Sequence, residues 1–308
     1  MKPKYKRYLK IAAAILATPI ALLVLLAVLL YIPPVQNWAV RQAAGYASES
    51  TGMNVSVERV RLSFPLDLSV QGLLATQPND SLHNHIDTIA AADELIVGVR
   101  LLPLFAGNVD VSDLDFRHVN INTAQLVPSA RVKGGVGRLK VEPSRVELKK
   151  ERVALGPVLL AGANLDIALS DTVPEDTTKT ENNWQIAFSR LAVKRSAVKI
   201  HMPGDTLAIG VGLTDASATD GDINLGTGIY KVGTFDWRDG FVNYDNNFAM
   251  RQKGLDVNHI ALKGVLLRVD SLCFEQEATK LQLALNRCAF REQSGLRVTD
   301  AKGHVRLD

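Results

Sequence analysis

The sequence predicts a mainly β protein: a single N-terminal transmembrane helix, a short amphipathic helix, then a long sheet of antiparallel strands. Three observations predict it. Residues 11–32 carry no charge, apolar residues recur at helical spacing from Val35 to Ala47, and from Met53 onward the apolar period falls to two. A period of 3.6 marks one face of a helix, and a period of two marks one face of a strand. At 308 residues, with 47% hydrophobic and 22% charged, the chain has the composition of a globular protein rather than a disordered one.

Residues 1–10 form a cytoplasmic basic tail with Lys2, Lys4, Lys6, Arg7 and Lys10. The formal net charge is +3, so the remainder is close to neutral, and no basic stripe of the kind a nucleic-acid binder needs is visible. Residues 11–32 make a helix of about 33 Å, enough to span a hydrocarbon core. Pro19 is tolerable within such a helix because neighbouring groups re-satisfy the freed carbonyl. The cations before the span, with none just after it, place the N-terminus in the cytoplasm and the body beyond the membrane. A cleaved signal peptide would have an apolar run of only about 7–15 residues ending in a small-x-small site. This run is longer and ends Leu29-Leu30-Tyr31-Ile32-Pro33-Pro34, which favours an uncleaved anchor.

Residues 33–52 read as a capping helix. Val35, Trp38, Ala39, Gln42, Ala43, Tyr46 and Ala47 share one stripe, Pro34 suits its start and Gly52 its end. The stripe is expected to pack on the end of the sheet. Residues 53–169 then carry strand runs such as Val60-x-Leu62-x-Phe64 and Leu66-x-Leu68-x-Val70, and residues 184–308 carry more of the same kind. Alternation of this type means one buried and one wet face, which is antiparallel geometry. Lys133-Gly134-Gly135, Pro203-Gly204-Asp205, Asp220-Gly221-Asp222 and Arg238-Asp239-Gly240 read as turns. The polar, acidic residues 170–183 read as a surface loop. It either separates two domains or is an insertion in one sheet, and the like strand patterns on both sides favour the insertion. The alternation continues to Leu307 without a closing element, so an open edge is expected, continued by a longer parent chain.

Cys273 and Cys288 flank a segment that could form a hairpin. A cross-strand disulfide and a pair of buried free thiols both remain open. No catalytic constellation emerges, so no enzyme, cofactor or metal is predicted. His83 and His85 lie in a polar loop without two further ligands. Gly134-Gly135-x-Gly137 lacks the spacing and lysine of a phosphate loop and reads as a β-turn. Asp110, Asp113 and Asp115 alternate with Val109, Val111, Leu114 and Phe116 and are expected on the wet face of strands. The apolar face itself has two readings: closed on itself as a core, or open to a ligand. Periodicity is the same for both.

The order of features resembles a known family. Ile32-Pro33-Pro34-Val35-Gln36-Asn37-Trp38, the strands from Gly52 to Leu66, and Leu95 to Val109 with its Leu102-Pro103-Leu104-x-x-Gly107 turn are similar to the N-terminal part of AsmA-like and TamB proteins. Trp184-Gln185-Ile186 and Phe290 to Leu296 are similar to later elements of the TamB branch. The resemblance spans most of the chain and is strongest over residues 1–120. It implies a strongly curved sheet forming an open hydrophobic groove, of the repeating β-groove or β-taco type. It further implies a protein of the inner membrane with its body in the periplasm, shielding phospholipid acyl chains for transport between inner and outer membranes. The groove-lining candidates are Val55, Val57 and Leu62; Leu95, Val97, Val99 and Leu101; Ile186 and Phe188; Leu207, Ile209, Val211 and Leu213; and Leu281, Leu283 and Leu285. The implied partners are phospholipids, the inner membrane and an outer-membrane barrel protein, the last through a C-terminal part that this chain lacks. A scaffold or chaperone for outer-membrane proteins, acting by β-strand pairing, is the alternative function.

Overall fold

The computed structural model describes residues 52–63, 67–78, 86–100, 111–123, 130–147, 150–170, 183–275 and 280–307, with single positions between 34 and 49. The expected membrane span at 11–32, the basic tail, Leu101, His83, His85, Asp110 and most of the acidic segment lie outside the described residues. Among the described residues no helix is long and apolar enough to cross a membrane. Pro34, Trp38, Arg41, Gln42, Ala44, Gly45, Ser48 and Glu49 have helical backbone. The chain leaves this helix at Gly52, whose φ is +69° and whose N–H donates to the Ser48 carbonyl at 2.9 Å. The Ser48 hydroxyl accepts from the Val55 N–H at 2.9 Å, tying the helix end to the first strand. The expected burial of the helical stripe fails at Trp38, which is 64% exposed.

The rest is one open 13-stranded sheet. Its strands are β1 (Asn54–Ser56), β2 (Arg59–Ser63), β3 (Asp67–Pro78), β4 (Ile86–Val99), β5 (Val111–Asn122), β6 (Ala130–Glu147), β7 (Arg152–Leu169), β8 (Gln185–His201), β9 (Leu207–Asn224), β10 (Ile229–Asn246), β11 (His259–Glu275), β12 (Lys280–Glu292) and β13 (Arg297–Leu307). They lie in chain order, with β1 and β2 both paired to β3. At about 4.8 Å per strand the sheet extends roughly 50 Å along its hydrogen-bonding direction. The expectation of an all-antiparallel sheet is corrected at one place: β7 and β8 are parallel, Arg152 opposite Gln185 and Ala168 opposite His201. A parallel pair needs a crossover of a dozen or more residues. The acidic segment supplies it, so the strands on its two sides are neighbours in one sheet.

Strict alternation does not survive along the long strands. Gly72 of β3, His118 of β5, Gly162 of β7, Arg195 of β8 and Gly264 of β11 have φ of +64°, +46°, +65°, +46° and +60°. The registers put the first four on one line. On one side of it runs the rung Glu94–Arg117–Arg138–Ala161–Lys194–Asp215, on the other Ala92–Val119–Val136–Ala163 and Ser196–Leu213. A second line passes through Asp220 of β9 and Ser271 of β11, with φ of +53° and +59°. Left-handed backbone costs an L-residue about 1–2 kcal/mol, and it persists here because pairing on both sides fixes it. Each kink slips the alternation by one residue. Leu262 and Val265, on either side of Gly264, therefore belong to the same apolar cluster, although strict alternation would put them on opposite faces. Kinks and bulges bend and twist a strand, so kinks aligned across these strands crease the sheet between β3 and β8.

Three expected turns prove to be parts of strands. Gly134 and Gly135 lie within β6, Gly221 within β9 and Gly240 within β10. Glycine inside a strand marks a bulge or a close approach rather than a chain reversal. Of the four expected turns, Pro203–Asp205 alone forms one, a short 3₁₀ segment between β8 and β9.

The packed centre spans β8 to β11: Val193, Ala216, Trp237 and Val265, flanked by Leu160, Leu191, Val211, Leu213, Phe235, Val242, Leu262, Leu267 and Phe290. Ala216 is 0% exposed and Trp237 6%, yet among the described residues no large side chain is fully buried. A single sheet without a covering layer has this signature.

Candidate functional site

The registers assemble the apolar residues into one face. Val70 lies opposite Leu95, Leu95 opposite Phe116, Phe116 opposite Leu139 and Leu139 opposite Leu160. Leu160 then faces Val193, Val193 faces Ala216, Ala216 faces Trp237, Trp237 faces Leu267, Leu267 faces Cys288 and Cys288 faces Ala301. Directly opposed residues share a face, so this row runs unbroken from β3 to β13. Polar side chains dominate the other face.

The lining candidates distribute as follows. Leu62 faces Leu68, Leu68 faces Val97 and Val55 faces Ala75, which puts all three on the apolar face, with Val99 two residues beyond Val97. Ile186 faces Ile223, and Phe188 faces Gly221, over which its ring lies. Ile209, Val211 and Leu213 face Ile200, Val198 and Ser196, with Leu207 two residues before Ile209. Leu281 and Leu283 face Phe274 and Leu272, and Leu285 faces Val269. Val57 falls between β1 and β2, outside any strand. Sequence reasoning missed Phe116, Leu139, Leu160, Val193, Trp237 and Leu267, because the kinks break the runs it counts. The signal was an apolar pair three apart across a glycine or a polar pair: Val136-Gly-Arg-Leu139, Leu160-Ala-Gly-Ala163, Leu213-Thr-Asp-Ala216 and Leu262-Lys-Gly-Val265.

On the opposite face, ion pairs link the strands. Glu94 accepts from Ser69 at 2.7 Å and from Arg117 at 2.9 Å, while Asp115 accepts from Arg138 at 2.8 Å. Lys194 and Arg238 both bind Asp215. Asp113 and Asp115 lie on this polar face, but Asp115 is not wet. It is 4% exposed, because the Arg117 and Arg138 guanidiniums cover it. Burial alone would raise its pKa; the hydrogen bonds and charges of Arg138 and Arg117 outweigh that and hold the carboxyl below the usual range. A depressed folded-state pKa gives stability that is present above the unfolded pKa and lost as pH falls through the folded one. Asp115→Asn should therefore lose about 2 kcal/mol at neutral pH, the scale of a charged hydrogen bond, and show a shallower loss of stability in acid. Urea unfolding at neutral and acid pH reads both; parallel pH dependences for variant and wild type would contradict it.

The disulfide reading is corrected: Cys273 and Cys288 are both free. Cys273 faces Gln282 whereas Cys288 faces Leu267, about 20 Å away along β11 and far beyond disulfide reach. Burial raises the Cys288 thiol pKa, leaving it less reactive. Among the described residues no group of three or more His, Cys, Asp or Glu is placed to hold a metal ion. The feature that remains is the apolar face itself, wide and half-exposed, with no second layer over it among the described residues. The chain matches no family model and no curated protein.

Proposed function

We propose that the apolar face is the floor and walls of an open groove that shields phospholipid acyl chains as they pass between two membranes. In this reading residues 11–32 anchor the protein in the inner membrane of a two-membrane envelope, and the sheet stands in the periplasm. The observation that carries it is the unbroken row of apolar residues from Val70 to Ala301, on a sheet that no other element covers among the described residues. A lipid crossing water exposes its tails at about 0.8 kcal/mol per methylene, and a continuous apolar strip removes that barrier along the path. Many weak and equivalent contacts let a chain slide, which a deep specific pocket would prevent. The creases support the reading, since a sheet bent along two lines can wrap a tail on three sides.

The full chain, reconstituted in donor vesicles carrying a fluorescent phospholipid, should speed the appearance of that lipid in acceptor vesicles. A rate equal to that of protein-free vesicles would remove the reading. A second reading, a scaffold that adds strands of client proteins, rests on β13, which pairs with β12 alone among the described residues. Crosslinks from Val305 or Leu307 to polypeptide rather than lipid would favour it.

A further inference from the structure

The strand ends that carry the β10–β11 and β12–β13 connections combine two features that the groove does not use. The first is a pair of apolar tips. In the β10–β11 loop, Phe248 is 75% exposed, Met250 85%, Leu255 53% and Val257 67%, and Leu296 in the β12–β13 turn is 46% exposed. The loop is not a loose strap. The Asp256 carboxylate accepts from the Gln252 and Asn258 N–H groups at 2.8 and 3.0 Å and contacts His259 Nδ1 at 2.9 Å. The two connections are also joined. Gln293 donates from its backbone to the Ala261 carbonyl at 3.1 Å and from its side chain to the His259 carbonyl at 3.0 Å.

The second feature is a row of like charges. Lys263 lies directly opposite Arg291, and Arg291 directly opposite Arg297. All three are exposed, and among the described residues none is ion-paired. Their Cα atoms sit on one rung, about 5 Å from strand to strand. Like charges directly opposed destabilise a sheet. Elsewhere on the polar face acids lie between the cations, as Asp115 does for Arg117 and Arg138 and Asp215 does for Lys194 and Arg238. Here no acid does so. The three side chains border a depression of about 360 Å³ that also takes in Gly264 and Thr299.

We propose that this rim docks on the surface of a phospholipid bilayer bearing anionic headgroups. The apolar tips enter the boundary between headgroups and acyl chains, and the Lys263–Arg291–Arg297 row binds headgroup phosphates. Exposed apolar residues ahead of a cationic belt are the arrangement that interfacial membrane binding requires. A protein interface depletes charge at its centre, whereas here three exposed cations stand on one rung with no acid between them. The rim lies toward the β13 end of the sheet, roughly 40 Å from β3. The proposal does not rest on the groove, since a protein that moves no lipid can still dock.

The test places the full chain in phosphatidylcholine nanodiscs and mixes it with free vesicles of phosphatidylcholine, with or without phosphatidylglycerol. Flotation then shows which vesicles it binds. Wild type should float with the phosphatidylglycerol vesicles and release at high salt. Each Lys or Arg near an anionic surface is worth about fivefold in partitioning. The triple variant Lys263→Gln, Arg291→Gln, Arg297→Gln should thus bind roughly a hundredfold more weakly, and Phe248→Ser with Met250→Ser should also lose binding. The triple variant should melt no lower than wild type, because it relieves repulsion. Binding equal to wild type, a lowered melting temperature, or photo-crosslinks from position 250 to polypeptide alone would each overturn the proposal.

Discussion

Val211→Asp is expected to abolish lipid transfer while leaving the sheet folded. Val211 sits on β9 between Val198 of β8 and Val242 of β10, half-buried, in the apolar cluster around Trp237. In a closed core a carboxylate at this position would be stranded away from water, and the protein would unfold or the group would neutralise. On an uncovered face the same carboxylate reaches solvent, so the loss of stability should stay below about 2 kcal/mol. A passing acyl chain has no such escape. Three or four methylenes that meet a hydrated carboxylate instead of an apolar wall lose about 3 kcal/mol together, more than a hundredfold in rate. Thr219→Asp, on the polar face of the same strand and opposite Arg190, should leave transfer unchanged. Thermal unfolding measured beside vesicle transfer separates the cases. Transfer at the wild-type rate would contradict the groove, and wholesale unfolding would indicate a closed core.

Gly240→Ala is expected to destabilise the protein by about 3 kcal/mol or more, the range of strain in a well-packed core. Gly240 follows the β10 irregularity at Trp237 and Asp239, where the Trp237 indole N–H donates to the Asp239 carbonyl at 2.8 Å. A Cβ at position 240 would overlap the Gly212 carbonyl oxygen and the Trp237 indole. A backbone oxygen in a ladder cannot swing aside as a flexible side chain can. The strands must part, or the indole must leave a site where it is 6% exposed. By comparison, Gly162→Ala meets only Gly137 atoms at 3.6 Å and more, so its penalty is the left-handed φ of +65° alone, about 1–2 kcal/mol. Urea midpoints for the two variants should therefore fall in that order. The reverse order would show that the β10 irregularity is not a fixed point of the sheet.

The mainly β class was legible because within each run, such as Leu207 to Leu213 or Leu281 to Leu285, the period of two holds without exception. The kinks were not legible, because a phase slip resembles the end of one strand and the start of another. Asp220-Gly221-Asp222 and Arg238-Asp239-Gly240 have turn chemistry, yet tertiary pairing on both sides keeps them in strands. The parallel β7–β8 pair was hidden for a different reason: alternation says which face a residue takes and nothing about strand direction. The burial of Asp115 depends on Arg117 beside it and Arg138 on the next strand, and the disulfide failed on a register that spacing alone does not specify. Long-range registers are set by all the strands together, whereas periodicity is local.

If the apolar face is open and carries lipid, its residues touch acyl chains in the cell. Photo-crosslinking in cells, with the probe placed in turn at positions 96, 97, 98 and 99, reads that contact. Val97 faces Leu68 and Leu114 on the apolar side, and Ile96 faces Ser69 and Asp115 on the polar side. Phospholipid adducts are expected at 97 and 99 and none at 96 and 98. No lipid at any of the four positions, in a folded and abundant protein, would contradict the open face.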